Sequence, residues 1–279
     1  MNAVAARRFE PTAWMLAPLL VVMVVGFNVP LIGMLAKSFI HGGALDVGGY
    51  RAMVQSSVYL KVLANTFKIA ALATIICAVL GYLLAYWLRG LAAKWQMVGL
   101  AAIVIPFWIS ILVRAYAWIV LLGNAGIVNR GMQGFGWVDS PIPFLYNELG
   151  VIIGTINVLL PFLVLPLYAA MVKIDDKLLR AAETLGAGRW TVFWRIFFPL
   201  SLPALAASSI LVFILALGFY ITPAILGGGR VPMIANMLDL LINQMPNWEL
   251  ASSLSVVLLA LTLVLFVLYL KFTGEKAEA

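Results

Sequence analysis

Six long apolar stretches alternate with short polar ones along the chain, at about residues 14–36, 67–87, 97–122, 150–172, 200–221 and 251–272. A helix needs about 20 apolar residues to cross the hydrocarbon core of a bilayer. Each stretch meets that length, and an amphipathic approach from residue 50 leads into the second. The pattern predicts an all-α integral membrane protein with six transmembrane helices, forming a single domain over residues 1–279. Proline recurs inside the stretches at Pro18, Pro30, Pro106, Pro161 and Pro166. Each removes a helix hydrogen bond, so kinked helices held by their neighbours are expected rather than straight rods. The first stretch follows Arg7 and Arg8, as a signal peptide would. It is too long for such a segment and no small-x-small cleavage site follows it, so it reads as a retained helix.

The polar segment 173–199 has a pattern of its own. Asp175 or Asp176 suits a helix start, where a carboxylate accepts free amide hydrogens. Leu178, Leu179, Ala182 and Leu185 then fall at helical spacing on one face. Gly186 is a natural stop, because glycine enters the left-handed conformation cheaply. A second short amphipathic helix is expected from Trp190 to Phe197, ended by Pro199. Two uses fit this helix–turn–helix. It lies on the headgroups with Trp190 and Trp194 as anchors, or it presents a docking surface to a soluble partner.

Composition strengthens the membrane reading. Of 279 residues, 64% are hydrophobic and 10% charged, against about 45–50% and about 25% in soluble domains. The net charge of +7 comes from residues scattered through an apolar chain, which make no basic stripe for nucleic acid. Their distribution instead gives an orientation. With the N-terminus inside, Arg7, Arg8, Arg89, Lys94, Lys173, Lys177, Arg180, Arg189, Arg195, Lys271 and Lys276 fall on the inner side. Only Lys37, Arg51, Lys61, Arg130 and Arg230 fall outside. Both termini are therefore expected in the cytoplasm.

Candidate chemistry is sparse. All eleven acids lie in loops, tails or span ends: Glu10, Asp46, Asp139, Glu148, Asp175, Asp176, Glu183, Asp239, Glu249, Glu275 and Glu278. A proton-coupled carrier usually needs a titratable relay within the membrane, although sodium coupling through backbone carbonyls stays open. One cysteine, Cys77, and one histidine, His41, make neither an intrachain disulfide nor a metal site. No phosphate-binding loop, nucleophile elbow or H-E-x-x-H occurs, so the chain is not expected to be an enzyme. Arg114 is the costly residue, since a charge near the bilayer centre costs at least about 2.5–3.5 kcal/mol. It should face the bundle or a water-filled cavity, either as a pathway or gate residue or as a cap on kinked-helix carbonyls. Tyr116 and Trp118 follow it in the same run. Tyr220 and Thr222 fit an outer gate or an ordinary helix end. Lys68, near the outer end of its span, is expected to snorkel.

Arg180-Ala181-Ala182, then Gly186, then Ile196-Phe197-Phe198-Pro199 resembles the E-A-A loop of membrane subunits of binding-protein-dependent ABC importers. That pattern runs E-A-A, three residues, G, nine residues, I-x-L-P, and the spacing here is the same. Arg180 stands where the pattern has Glu, and Phe198 where it has Leu. Glu183 lies one turn along and is a candidate replacement for the carboxylate. Residues 106–118 and 213–228 are similar to segments of spermidine/putrescine-type permeases. In several polyamine members an acid follows the glycine corresponding to Gly218, whereas Phe219 and Tyr220 follow it here.

The resemblance implies the type I importer permease fold, with a cytoplasmic coupling loop over 173–199. In it Leu178, Leu179, Arg180, Ala181, Ala182, Glu183, Leu185 and Gly186 would meet the ATPase. The implied partners are a second homologous permease, two ATPase subunits, a periplasmic solute-binding protein and the lipid bilayer of the bacterial inner membrane. No cofactor is expected in this chain, because ATP and Mg would be bound by the partner ATPase. The implied solute is a polyamine or a related amino-acid-like or carboxylate compound. The alternative is a stand-alone secondary transporter or channel for a small organic solute.

Overall fold

The computed structural model describes residues 12–41 and 44–274, and the side-chain surroundings of residues 16–40 and 44–271. Arg7, Arg8, Glu10, Glu275, Lys276 and Glu278 lie outside the described residues, as does the side chain of His41. The described part is almost wholly helical. Six helices are long and apolar enough to cross a membrane: Leu16–Phe39, Ser57–Arg89, Ile111–Gly134, Glu148–Val172, Arg189–Leu217 and Trp248–Lys271. A small antiparallel pair, Ile40–His41 with Ala44–Leu45, and a short helix, Gly48–Gln55, join the first two spans.

Three stretches differ from the expected spans, the second because its helix already begins at Ser57 and takes in part of the amphipathic approach. The third, expected as one helix over 97–122, is broken. Ala93–Val104 tightens into a 3-10 turn at Ile105–Trp108. Ile109 and Ser110 are then extended, and a new helix starts at Ile111. Pro106 is the cause, because it cannot donate to the carbonyl four residues back and its ring crowds that carbonyl.

The fifth stretch differs in the opposite sense. Pro199 does not end a short helix, because Arg189–Leu217 runs through it. The helix widens into a π turn at Phe193–Phe197, closed by Phe198 N–H to Phe193 C=O. Two further π turns lie at Val24–Asn28 and Leu240–Gln244. Each of these three turns ends two residues before a proline: Pro30, Pro199 and Pro246. At Pro30 and Pro199, where the helix continues, widening the preceding turn carries the crowded carbonyl away from the proline ring; at Pro246 the helix has already ended, at Gln244.

The second, fourth and fifth spans form the core. Cys77, Tyr82, Ala85 and Leu88 of the second meet Leu163, Val164, Leu167 and Met171 of the fourth, with Val212 and Ala216 of the fifth. Lipid tails are as apolar as these side chains, so close packing and hydrogen bonds hold the helices together rather than expulsion of water. Gly81 shows how close the packing is. A Cβ there would stand 2.5 Å from Leu163 Cδ2. Tyr82 and Ser201 share a buried hydrogen bond of 2.8 Å between the second and fifth spans. The sixth span packs on the fifth, and the end of the first span packs on the sixth. The rest of the first span is exposed, from Leu16 to Ile32.

The two ends of the bundle are pinned by charge. At one end Lys68 pairs with Glu148 at 2.5 Å, so its ammonium is held by a carboxylate and does more than snorkel. At the other end Arg89 pairs with Asp176.

Candidate functional site

The segment between the fourth and fifth spans folds as a capped helix, Asp176–Thr184. Asp175 is the N-cap, and its Oδ1 accepts from Lys177 N–H at 2.8 Å. The C-terminus closes with Ala187 N–H to Ala182 C=O and Gly186 N–H to Glu183 C=O, both 3.0 Å. These two bonds make a Schellman turn, which needs a left-handed residue. Gly186 supplies it with φ of +87°.

The apolar side chains of this helix do not share one face, as the spacing had suggested. Leu179 and Ala182 are half-buried toward the bundle, and Leu179 packs against the core. Leu178, Ala181 and Leu185, at intervals of three and four, turn outward, and Leu185 is 88% exposed. Arg180 and Glu183 are exposed beside that outward stripe. The outward stripe of this helix packs against nothing within the described residues.

Arg89, read from the sequence only as an inner charge, locks this helix to the bundle. It ends the second span, and its Nε donates to Met171 C=O at 2.9 Å. One Nη donates to Ile174 C=O at 3.2 Å and to the Asp176 carboxylate. The guanidinium lies 4.9 Å from the Phe197 ring centre. One side chain thus ties together the ends of the second and fourth spans, the loop helix and the base of the fifth. A basic residue in the last turn of a span, followed by Gly90, was the available signal, but its partners are distant in sequence. Aromatic rings finish the joint: Tyr86 meets Phe197 at 5.1 Å, and Trp194 meets Phe193 and Phe198, each at 5.1 Å.

The candidate pathway residues do not form one cluster. Arg114 is partly buried, and its Nε is buried without an acceptor. Trp118 is partly buried one turn on, while Tyr116 points outward, 62% exposed. Thr222 is buried in the helix Ile221–Leu226, against the fourth span at Gly154. Tyr220 lies beyond the fifth span, which ends at Leu217 and not at 221. It faces Asp239, whose carboxylate raises the pKa of its phenol above the ordinary value, with partial desolvation adding to the shift. By its place in the chain Asp239 is only one of several loop acids. Its partner Tyr220 lies on the far arm of the segment between the fifth and sixth spans, so no local spacing showed the pair.

A family model described as binding-protein-dependent transport system inner membrane component matches residues 9–273. The chain is 37% identical over 226 residues to the spermidine/putrescine transport system permease protein PotB of Haemophilus influenzae. The match covers 79% of this chain and 78% of the relative. It is 30% identical over 274 residues to the putative 2-aminoethylphosphonate transport system permease protein PhnU of Salmonella paratyphi A, covering 95% and 92%. Its fold is similar to that in the crystal structure of a bacterial ABC transporter involved in import of the acidic polysaccharide alginate. The TM-score is 0.75 at 20% identity over 96% of both chains.

Proposed function

The chain belongs to the family of binding-protein-dependent transport system inner membrane components, and from that membership we propose that its helix Asp176–Thr184 receives the stroke of a separate ATPase subunit. The protein is a permease subunit of a binding-protein-dependent ABC importer and is not itself an enzyme. It is a multi-pass inner-membrane protein that acts with a solute-binding protein and the other parts of the transporter. In the finer reading, two permease chains and two ATPase subunits make the complex, and ATP and Mg sit in the ATPases. The Arg89–Asp176 end of the bundle faces the cytoplasm and the Lys68–Glu148 end the periplasm. This agrees with the basic residues gathered near the former.

The observation that carries the coupling role is the outward stripe Leu178, Ala181 and Leu185 on a helix fixed at both ends. Seated in a cleft of a moving partner, such a helix works as a lever. Arg89 passes displacement to the second and fourth spans, and the unbroken helix from Arg189 passes it to the fifth. ATP must then favour one state of the spans by a few kcal/mol to shift their populations appreciably. The solute belongs to the amine-bearing class, since PotB and PhnU are named for compounds that share a primary amine.

Leu185→Asp and Ala181→Glu test the coupling role. Either should release the ATPase subunits on purification and abolish uptake while the chain still inserts. Normal uptake with intact ATPase binding in both variants would refute the assignment. A stand-alone carrier or channel would instead give solute flux from liposomes holding this chain alone.

A further inference from the structure

The segment between the fifth and sixth spans folds back on itself and docks on the second span. Asn65 Nδ2 donates to Pro232 C=O at 3.0 Å, and Ile234 N–H donates to the buried Thr66 Oγ1 at 2.9 Å. Asn236 Nδ2 donates to Tyr220 C=O at 3.1 Å, joining the two arms across 16 residues. These bonds hold Ile234–Asp239 against the start of Ile221–Leu226. Between them lies an open cavity of about 330 Å³, with Tyr220, Asn236, Asp239 and Gln244 on its wall. That is within the size range of small-molecule sites, at its lower end.

The charge of this wall is one-sided. Among the described residues that line it Asp239 is the only carboxylate, and no Lys or Arg lines it. The groups found against the carboxylate are neutral: Asn243, whose Nδ2 donates to Oδ1 at 2.7 Å, and the Tyr220 phenol. Asp176 and Glu148, by contrast, each have a basic partner. A carboxylate with no counter-ion among the described residues, an aromatic ring beside it and two amides within one small cavity are the complement of an alkylammonium group. The carboxylate accepts a charge-assisted hydrogen bond, the ring face attracts the cation and the Gln244 amide oxygen takes a remaining N–H donor, while the Asn236 amide, which accepts from Met233 N–H and donates to Tyr220 C=O, holds the wall in shape.

We propose that Asp239 and Tyr220, with Asn236 and Gln244, form a seat for the ammonium group of the transported solute on the side of the permease that receives it. The proposal rests on the reading of the chain as an importer of amine-bearing solutes. It adds the acidic contact that the interiors of the spans lack.

The test uses the whole importer, with its binding protein, in membrane vesicles, and labelled putrescine and spermidine as probes. The binding protein sets half-saturation, so a loss at this seat reads in the maximal uptake rate per assembled complex. Asp239→Asn should lower that rate about tenfold or more, the scale of one lost charge-assisted hydrogen bond. Asp239→Glu should keep part of it, and Tyr220→Phe should lower it a few-fold. Gln244→Cys gives a readout that does not depend on how Asp239→Asn folds, because the native Cys77 is buried. A cationic thiol reagent should block uptake through that cysteine, and spermidine should protect it. If the importer takes up either amine while Asp239→Asn leaves the rate within about twofold, the seat is wrong and the importer reading stands. Modification at position 244 without protection by spermidine would also overturn the seat. A wild-type importer that takes up neither amine would overturn both the seat and the substrate class.

Discussion

The guanidinium of Arg89 sits where the second span, the fourth span and the loop helix all end, and its side chain is only 17% exposed. Its planar fork reaches two carbonyls and a carboxylate at once. A lysine offers a single point charge on a flexible stem and cannot reproduce that geometry. Arg89→Lys should therefore destabilise the complex by about 1–3 kcal/mol and weaken retention of the ATPase, as read by thermal unfolding in detergent and by co-purification. Equal behaviour of the lysine variant and wild type would show that charge alone matters there. Gly81 poses a question of volume instead. A methyl group there must displace Leu163, and overpacking of this kind costs about 1–3 kcal/mol. Gly81→Ala should lower the unfolding temperature, and adding Leu163→Ala should restore much of it. A double variant no better than Gly81→Ala would place the strain elsewhere.

A helix of nine residues is too short to be stable in water by itself. The loop helix persists because both ends are closed and one face rests on the bundle. Removing the Asp175 carboxylate should cost about 1 kcal/mol, a large share of so local a stability. Amide exchange across 176–184 should then quicken in Asp175→Ala and stay near wild type in Asp175→Asn, which can still accept the bond. Unchanged exchange in the alanine variant would show that packing of Leu179 and Ala182 suffices. The start and stop of this helix were legible in the order of residues, since a cap and a left-handed turn are local devices. Its outward face was not, because Leu178 and Leu179 are equally apolar and only the neighbouring spans decide which of them is covered. The π turns followed the same division: the prolines were visible, but whether each would end, break or widen its helix was not.

Across the whole molecule, the two charged ends give a topology that labelling can check. Cysteines placed near Asp46 and Asp139 should react with an impermeant thiol reagent added to intact cells, and those near Arg89 and Glu183 should not. The buried Cys77 leaves a low background. Reaction at Glu183 from outside would invert the orientation. The chain alone should show neither ATP hydrolysis nor solute flux, and both should appear when the partner subunits are restored. Flux from the chain alone would favour a carrier or channel.

The order of residues determined the membrane setting, the number of spans and the capped helix between the fourth and fifth, because hydropathy over a span's length and capping over one turn are local properties. The tertiary structure decided what depends on residues far apart in the chain. It broke the third span at Pro106 yet carried the fifth through Pro199, according to what each neighbourhood could accommodate. It gave Arg89 its carbonyls and brought Asp239 to Tyr220. Those pairings rest on hydrogen bonds between helices, and a chain of apolar spans separated by short loops carries no periodicity from which such partners can be read.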